Sequence, residues 1–475
     1  WLCVNNKAAV CLNKSEKFLL GCKAVGGMSV QELSEEWQVS RTYIYQQKDQ
    51  VLDYIRTLDG AAEGCPCVSL DDRFVKRAVI SLALECHAPE SGIQQFFGSV
   101  LGMHISIGRI SSILHEASAR ALEFDNRISL EGISEGANDE IFQGNSPVLT
   151  GIDLSSTYIY LLEESGDRTA DSWELFMSDR KDHGLELDVS ISDAGTGLTA
   201  GIPRVFPEAA IQPDVFHELR PLGAEAARME RGAYKVIEKE AALERRAAGS
   251  RPQKRTLEQL DAVRPEAQKA VRDSDILSIL FIWLVELLGF SGYSYEETLG
   301  LSEWVLSEME AAFPERKKLT AQVKKFREKL PGTLSFLKRV KGRLAERAAE
   351  RGIPPEAFEL MYQERALPAD SWEASRIEYR LGELLGREYT DAKQEFEAVL
   401  SRTKRASSMV ENLNSRIRVY MNLKRTVPDS FFVLLKVYLN TRKYKRSRVK
   451  ERIGKSPLEL LTGKQWPEFL EILGY

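Results

Sequence analysis

The chain reads as a mixed α/β core of about five strands, set between an all-α N-terminal region and a long α-helical insertion. Three observations predict this. Between Ala137 and Gln212, short runs of strand-forming residues and one helix-length stretch follow the order strand, strand, strand, helix, strand, helix, strand. Some 190 residues after His217 are instead dominated by Ala, Glu, Lys, Arg and Leu at helical spacing. The first 130 residues carry two pairs of helix start and stop signals.

Residues 1–60 hold the first pair. Ser29-x-x-Glu32 has the form of a capping box and opens a helix through Trp37. Gln38-Val39 make a tight turn, and Ser40 caps a second helix from Arg41 to about Ile55. As a helix-turn-helix, this turns Arg41, Thr42, Tyr45 and Gln46 outward, toward a DNA groove. Residues 61–130 hold the second pair: Glu90 to Gly98, the turn Val100-Leu-Gly-Met-His104, and a helix from Ser106 to about Leu122. Plain helical bundles contain such pairs too, so both readings stand. Cys65-Pro-Cys67 with Cys86-His87 supplies four potential zinc ligands. Structural zinc sites space their Cys pairs by about two to four residues, so reduced thiols are the expectation.

Residues 131–220 carry the strands. Ala137–Phe142, Pro147–Asp153 and Thr157–Glu163 are separated by Gln143-Gly-Asn-Ser146 and by Leu154-Ser-Ser156. Asp171 to His183 follows, with Trp173, Phe176 and Met177 at helical spacing and Gly184 where a helix stops. Leu187-Asp-Val-Ser-Ile-Ser-Asp193 then ends on an acid ahead of Ala-Gly-Thr-Gly. An acid at a strand's end, freed by a glycine turn, points into an open site. A helix from about Gly197 to Phe206 and a fifth strand, Ala209–Gln212, complete the order.

Residues 221–390 read as a helical insertion domain, broken near Pro252, Pro331-Gly332 and Pro354-Pro355. Its Trp283, Trp304 and Trp372 are expected in the core before any role in stacking on a base. In residues 391–475, Asp391 to about Leu423 keeps Phe396, Val399, Leu400, Val410, Leu413, Ile417 and Tyr420 in one helical stripe. Glu411, Asn414, Ser415 and Arg418 share another face.

The order of elements is the one found in the RNase H-like nucleotidyl-transferase fold, and particular residues extend the likeness. These are Asp139-Glu140, Trp173-x-x-Phe176 ahead of Gly184-Leu185, Ser192-Asp193-x-Gly195-x-Gly197-Leu198, Val205-Phe206-Pro207 and Asp214-x-x-His217. Glu411-Asn-Leu-Asn-Ser-Arg416, Phe431-Phe432, Tyr438-Leu-Asn440 and Gly454-Lys-Ser-Pro-Leu-Glu-Leu-Leu461 follow. Over about half the chain, this set resembles DDE transposases of the mutator-like and related bacterial insertion-sequence groups. The resemblance implies that two strand-borne aspartates and a helix-borne glutamate, Asp139, Asp193 and Glu411, hold two Mg²⁺ (or Mn²⁺) ions. Asp153 competes with Asp139 for the first strand. Were it there, the third strand would fall on Ser172–Met177 and leave only Ser178–His183 for the following helix. Asp139 restores three strands and a full helix, and leaves Asp153 as a strand-end or turn acid. In that fold the first and fourth strands are neighbours, which brings Asp139 beside Asp193. Asp214 and His217 match an Asp-x-x-His pair that either orients a DNA phosphate or braces the metal site. A local hydrogen bond at a strand-to-helix turn accounts for them equally well.

Composition limits the alternatives. At 475 residues, with 43% hydrophobic and 28% charged, the chain reads as soluble and globular with two to four domains. Ile276 to Phe290, its most apolar stretch, is interrupted by Glu286 and reads as a buried helix rather than a membrane span. No signal peptide is legible, and because the chain begins at Trp1 an N-terminal piece is expected to be missing. All six cysteines lie in the first 86 residues, a pattern suited to a reducing cytosol. A nucleoid-associated protein of prokaryotic type is therefore expected. The net charge of −5 hides an asymmetry: Ser401 to Lys455 holds 16 Lys and Arg against three acids, about +13, which leaves about −18 elsewhere. Such a block points to a polyanion, here double-stranded DNA of transposon terminal repeats and target, with a solvated surface as the plain alternative. Arg416, Arg418, Arg442, Lys443, Lys445 and Arg446 are its candidate contacts, interleaved with Tyr438 and Tyr444.

No GxxxxGK[ST] loop, GxSxG elbow or HExxH motif is present. Three carboxylates with hard divalent ions need none of these, because paired ions serve both the attacking and leaving oxygens of a phosphodiester. The expected function is a DNA transposase performing hydrolysis and strand transfer, working as a homo-oligomer that synapses two ends. A catalytically inactive transposase-derived DNA-binding protein and a structure-specific nuclease of the same fold are the alternatives.

Overall fold

A computed structural model describes residues 12–61, 70–193, 195–249, 253–424 and 427–475, so Cys65-Pro-Cys67 and Pro252 lie outside the described residues. The chain divides into two compact units, residues 1–74 and 75–475. In the first, α1 (Lys14–Val25) opens on a capping box between Asn13 and Glu16. This helix adds a third member to the expected pair. The Ser29 side chain accepts from Glu32 N at the start of α2 (Val30–Trp37), and Gln38 turns the chain at φ 53°. Ser40 Oγ then accepts from Tyr43 N, and α3 runs over Arg41–Ala61, further than the expected end near Ile55. Leu20, Ala24, Leu33, Val39 and Ile44 form the small core and leave Arg41, Thr42, Tyr45 and Gln46 exposed.

The second unit begins within α4 (Asp72–Leu84), which precedes the second expected pair, α5 (Glu90–Leu101) and α6 (Ile107–Asp125). Gly102 makes the turn in the left-handed region at φ 64°, and Ser106 caps α6. Along α6, Ile110, Ile113, Leu114, Ala117, Ala121 and Phe124 recur at helical spacing and are buried in the main core. One face of this helix is thus part of the core, while residues 107–109, Ser111, Ser112, His115 and Ala119 stay exposed.

The sheet follows the expected order: β1 (Glu135–Gln143), β2 (Ser146–Asp153), β3 (Ile159–Glu164), α7 (Ala170–Asp182), β4 (Val189–Ser192), α8 (Thr196–Val205) and β5 (Ala210–Pro213). Its five strands lie side by side as β3-β2-β1-β4-β5. β2 is antiparallel to β1 and β3, whereas β1, β4 and β5 are parallel. Gly201 lets α8 approach α7, since a Cβ there would stand 2.6 Å from Trp173 Cβ.

The insertion begins with two long helices, α9 (Val215–Ala247) and α10 (Lys254–Leu287), packed as a hairpin. At a rise of about 1.5 Å per residue each spans roughly 50 Å. α11 (Tyr295–Ala312), α12 (Lys317–Thr333), α13 (Ser335–Arg351), α14 (Pro355–Glu364), α15 (Trp372–Leu385) and α16 (Tyr389–Arg402) close a second core with the root of that hairpin. The chain returns to the sheet through α17 (Ser408–Leu423), α18 (Asp429–Thr441), α19 (Pro457–Thr462) and α20 (Phe469–Ile472).

Three expectations are corrected. The single helix from Asp391 to Leu423 is two, α16 and α17, separated at 403–407. Val399 and Leu400 belong to the insertion core, while Val410, Leu413, Ile417 and Tyr420 belong to the sheet's core, so the stripe serves two bodies. The Ile276–Phe290 stretch is buried on one side only: Leu277, Leu280, Leu284 and Leu288 are covered, but Ile279, Ile282 and Trp283 are exposed. Trp283, Trp304 and Trp372 are exposed rather than in the core, the first two stacked on each other at 6.0 Å. Among the described residues no helix is long and apolar enough to cross a membrane.

Candidate active site

The parallel register pairs Glu135 with Val189, Gly136 with Ser190 and Ala137 with Ile191. Continued two residues in step, it brings Asp139 level with Asp193, which follows the end of β4. A buried chain of side chains holds that register. Tyr160 Oη donates to Asn138 Oδ1 at 2.7 Å, and Asn138 Nδ2 donates to Ser190 Oγ at 3.0 Å. The tyrosine reaches across β2 at Gly151, where a Cβ would lie 2.3 Å from its ring. Side chains alternate along a strand, so Asn138 is committed to this inner face and Asp139 to the other.

Asp139 is partly buried and meets α17, where Asn414 Nδ2 donates to its Oδ2 at 2.5 Å. Burial first, and then the charges of Asp193 and Glu140, push its carboxyl up to about 6 from 3.8, against the pull of the Glu140 N–H and Arg418. Asp193 Oδ1 accepts from Gly195 N at 3.3 Å, which orients it within the glycine turn. Glu140 is held by Trp173 Nε1 at 3.0 Å and by Arg168 at 3.4 Å. Two residues of the family-like motif, Glu140 and Trp173, thus pair directly with each other.

Asp153 is a turn acid: buried, it accepts from Ser156 N at 2.7 Å and from Ser156 Oγ at 2.5 Å. Asp214 follows β5, and both of its oxygens are engaged. Oδ1 caps α9 through Phe216 N and His217 N, and Oδ2 accepts from Ser407 N and Ser407 Oγ, each at 2.5 Å. Val215 N also donates to the Arg405 carbonyl at 3.1 Å. Asp214 is therefore a clasp that joins the start of α9 to the start of α17. His217 enters this clasp through its backbone N–H while its side chain is exposed.

Glu411 is exposed in the first turn of α17, one turn before Asn414. Among the described residues, no three His, Cys, Asp or Glu side chains are gathered closely enough to hold an ion. What the site offers is a set of hard oxygen donors, the kind that Mg²⁺ and Mn²⁺ take. Asn414 was legible only as a helix-face neighbour of Glu411. It is 1% exposed, and its Oδ1 has no hydrogen-bond partner among the described residues. A cation held at Asp139 would satisfy that oxygen if the amide turned to exchange it with Nδ2.

The basic block separates into internal and external cations. Lys436 is 1% exposed and bonds Asp125 at 2.7 Å, in a cluster with Arg180. Arg405 is half-buried over Phe216, Phe290 and Phe336, and burial lowers its pKa. Arg416 is half-buried beside Tyr444, and burial lowers its pKa too, so it is a less available DNA contact than expected. Lys443 pairs with Glu459 at 3.7 Å and Glu468 at 3.9 Å. Arg418, Arg442, Lys445 and Arg446 are exposed. Compared with models of known families and with curated protein sequences, the chain matches none.

Proposed function

We propose that the chain is a DNA transposase of the RNase H-like DDE class, which cuts and joins phosphodiesters at transposon ends with two divalent ions, Mg²⁺ or Mn²⁺. The strand order, with β2 antiparallel to both neighbours and β1, β4 and β5 parallel, agrees with that fold. The observation that carries the reading is the meeting of Asp139 and Asp193 from adjacent parallel strands, under a helix that bears Asn414 and Glu411. When bound, such ions supply Lewis acidity to both the attacking and the leaving oxygen of a phosphodiester. Asp139 and Asp193 would hold them, with Glu411 reaching over from one turn before Asn414, where side chains three apart share a face. Asp214 keeps α17 seated at the sheet. Arg418 stands near enough for its charge to favour ionised Asp139 and is exposed, open to an incoming phosphate. Arg442, Lys445 and Arg446 would contact the DNA backbone, and Arg41 and Tyr45 a groove.

The test is a strand-transfer assay with the element's flanking DNA and Mg²⁺ or Mn²⁺. The wild-type chain nicks and joins, and Asp193→Asn abolishes both while retaining DNA binding. Unchanged activity in that variant refutes the site. Binding by wild type without nicking would identify a transposase-derived DNA-binding protein, and cleavage without joining a structure-specific nuclease.

A further inference from the structure

We propose that Asn414 is itself an oxygen ligand of the divalent ion held by Asp139 and Asp193, in addition to Glu411; this rests on the function proposed above. The side chain is 1% exposed on the face of α17 that packs on β1 and β2. Its Nδ2 touches the Asp139 carboxylate at 2.5 Å, so the amide lies within the candidate site. Its Oδ1 is buried and accepts no hydrogen bond among the described residues, an unfavourable state for a carbonyl oxygen. A half-turn about Cβ–Cγ exchanges the two amide atoms. The side chain that donates to Asp139 without a cation then presents its oxygen to one that is bound. Asparagine carbonyls are ordinary ligands of hard cations, and a neutral one adds coordination without a further negative charge beside Asp139, Asp193 and Glu140. The Asp214–Ser407 clasp at the start of α17 fixes where the amide arrives.

The competing role is that Asn414 only donates to Asp139 and so positions it. Aspartate at 414 separates the two, because it keeps an oxygen in place and has no N–H. The experiment measures Mn²⁺ binding to the full chain, by titration of free Mn²⁺ signal in electron paramagnetic resonance, for wild type, Asn414→Ala, Asn414→Asp and Asp193→Asn. Circular dichroism checks folding, and Asn414→Leu, matched in size, replaces the alanine variant should that unfold. Wild type is expected to bind, Asp193→Asn to lose binding, and Asn414→Ala to weaken it roughly 10- to 100-fold. Asn414→Asp is expected to bind at least as tightly as wild type. Unchanged affinity in Asn414→Ala, or an aspartate variant as weak as alanine, overturns the ligand role while leaving the two-aspartate site standing. Absence of any Asp193-dependent Mn²⁺ binding in wild type overturns both.

Discussion

Asp139→Asn should make the metal-free protein more stable at neutral pH. The Asp139 carboxyl titrates at about 6 in the folded chain against 3.8 when unfolded, chiefly because it is buried and then because Asp193 and Glu140 stand near it. At about 1.4 kcal/mol per pH unit, this difference is about 3 kcal/mol of opposition to ionisation, and partial exposure reduces the expected gain to roughly 2 kcal/mol. The sign follows from proton linkage. The folded state binds the proton more tightly than the unfolded state, so wild type loses stability as pH rises from about 4 through 6. An amide carries no such penalty; its single oxygen keeps the bond from Asn414 but gives up the one that Asp139 accepts from Glu140 N, which offsets part of the gain. Hydrogen exchange of β1 and β4 amides, with chelator present and at pH values from about 4 to 7.5, reads the effect locally without assuming two-state unfolding. The variant should be better protected at pH 7.5, and the advantage should disappear near pH 4. Added Mn²⁺ should reverse the order by protecting wild type alone. A variant that is less protected at every pH, or an advantage that ignores pH, would refute the argument that charge repulsion limits the empty site.

Three further outcomes are expected. Lys436→Met leaves Asp125, among the described residues, with only the more distant Arg180 for charge compensation and should cost about 3–5 kcal/mol in urea unfolding. A loss below 1 kcal/mol would mean that the pair is dispensable. Asn138→Ala strands the hydroxyls of Tyr160 and Ser190 and should destabilise by about 2–4 kcal/mol; DNA binding, measured below the melting temperature, should persist. Replacing Lys445 and Arg446 together by alanine should weaken DNA binding for all sequences and reduce the slope of log affinity against log salt by about 2. An unchanged slope would remove both residues from the DNA interface.

Much of the core was legible because its signals are local. Strand alternation, the turn residues after Gln143 and the glycine after Asp193 act over a few positions, and the observed strands start and end within about two residues of the expected ones. The break between α16 and α17 was not legible, because no proline or glycine marks 403–407 and Val410 falls in phase with Val399 by coincidence of two cores. Lys436 did leave a signal. A lone lysine within Phe431-Phe-Val-Leu-Leu-Lys-Val-Tyr-Leu439 has apolar neighbours on every side, the setting of a buried ion pair rather than of a DNA contact. Asn414 left none, because a helix periodicity cannot say which of several polar neighbours on one face will touch a strand 275 positions away.

The clasp at Asp214 has an evolutionary consequence. The hairpin and the helices after it leave the sheet at Val215 and come back at Ser407, and one carboxylate grips both ends of that excursion. A segment grafted at such a pinch point can be lengthened, trimmed or exchanged with little loop-closure penalty, so long as the graft junction is kept. Descendants of this architecture are free to carry arms of very different size on an unaltered sheet.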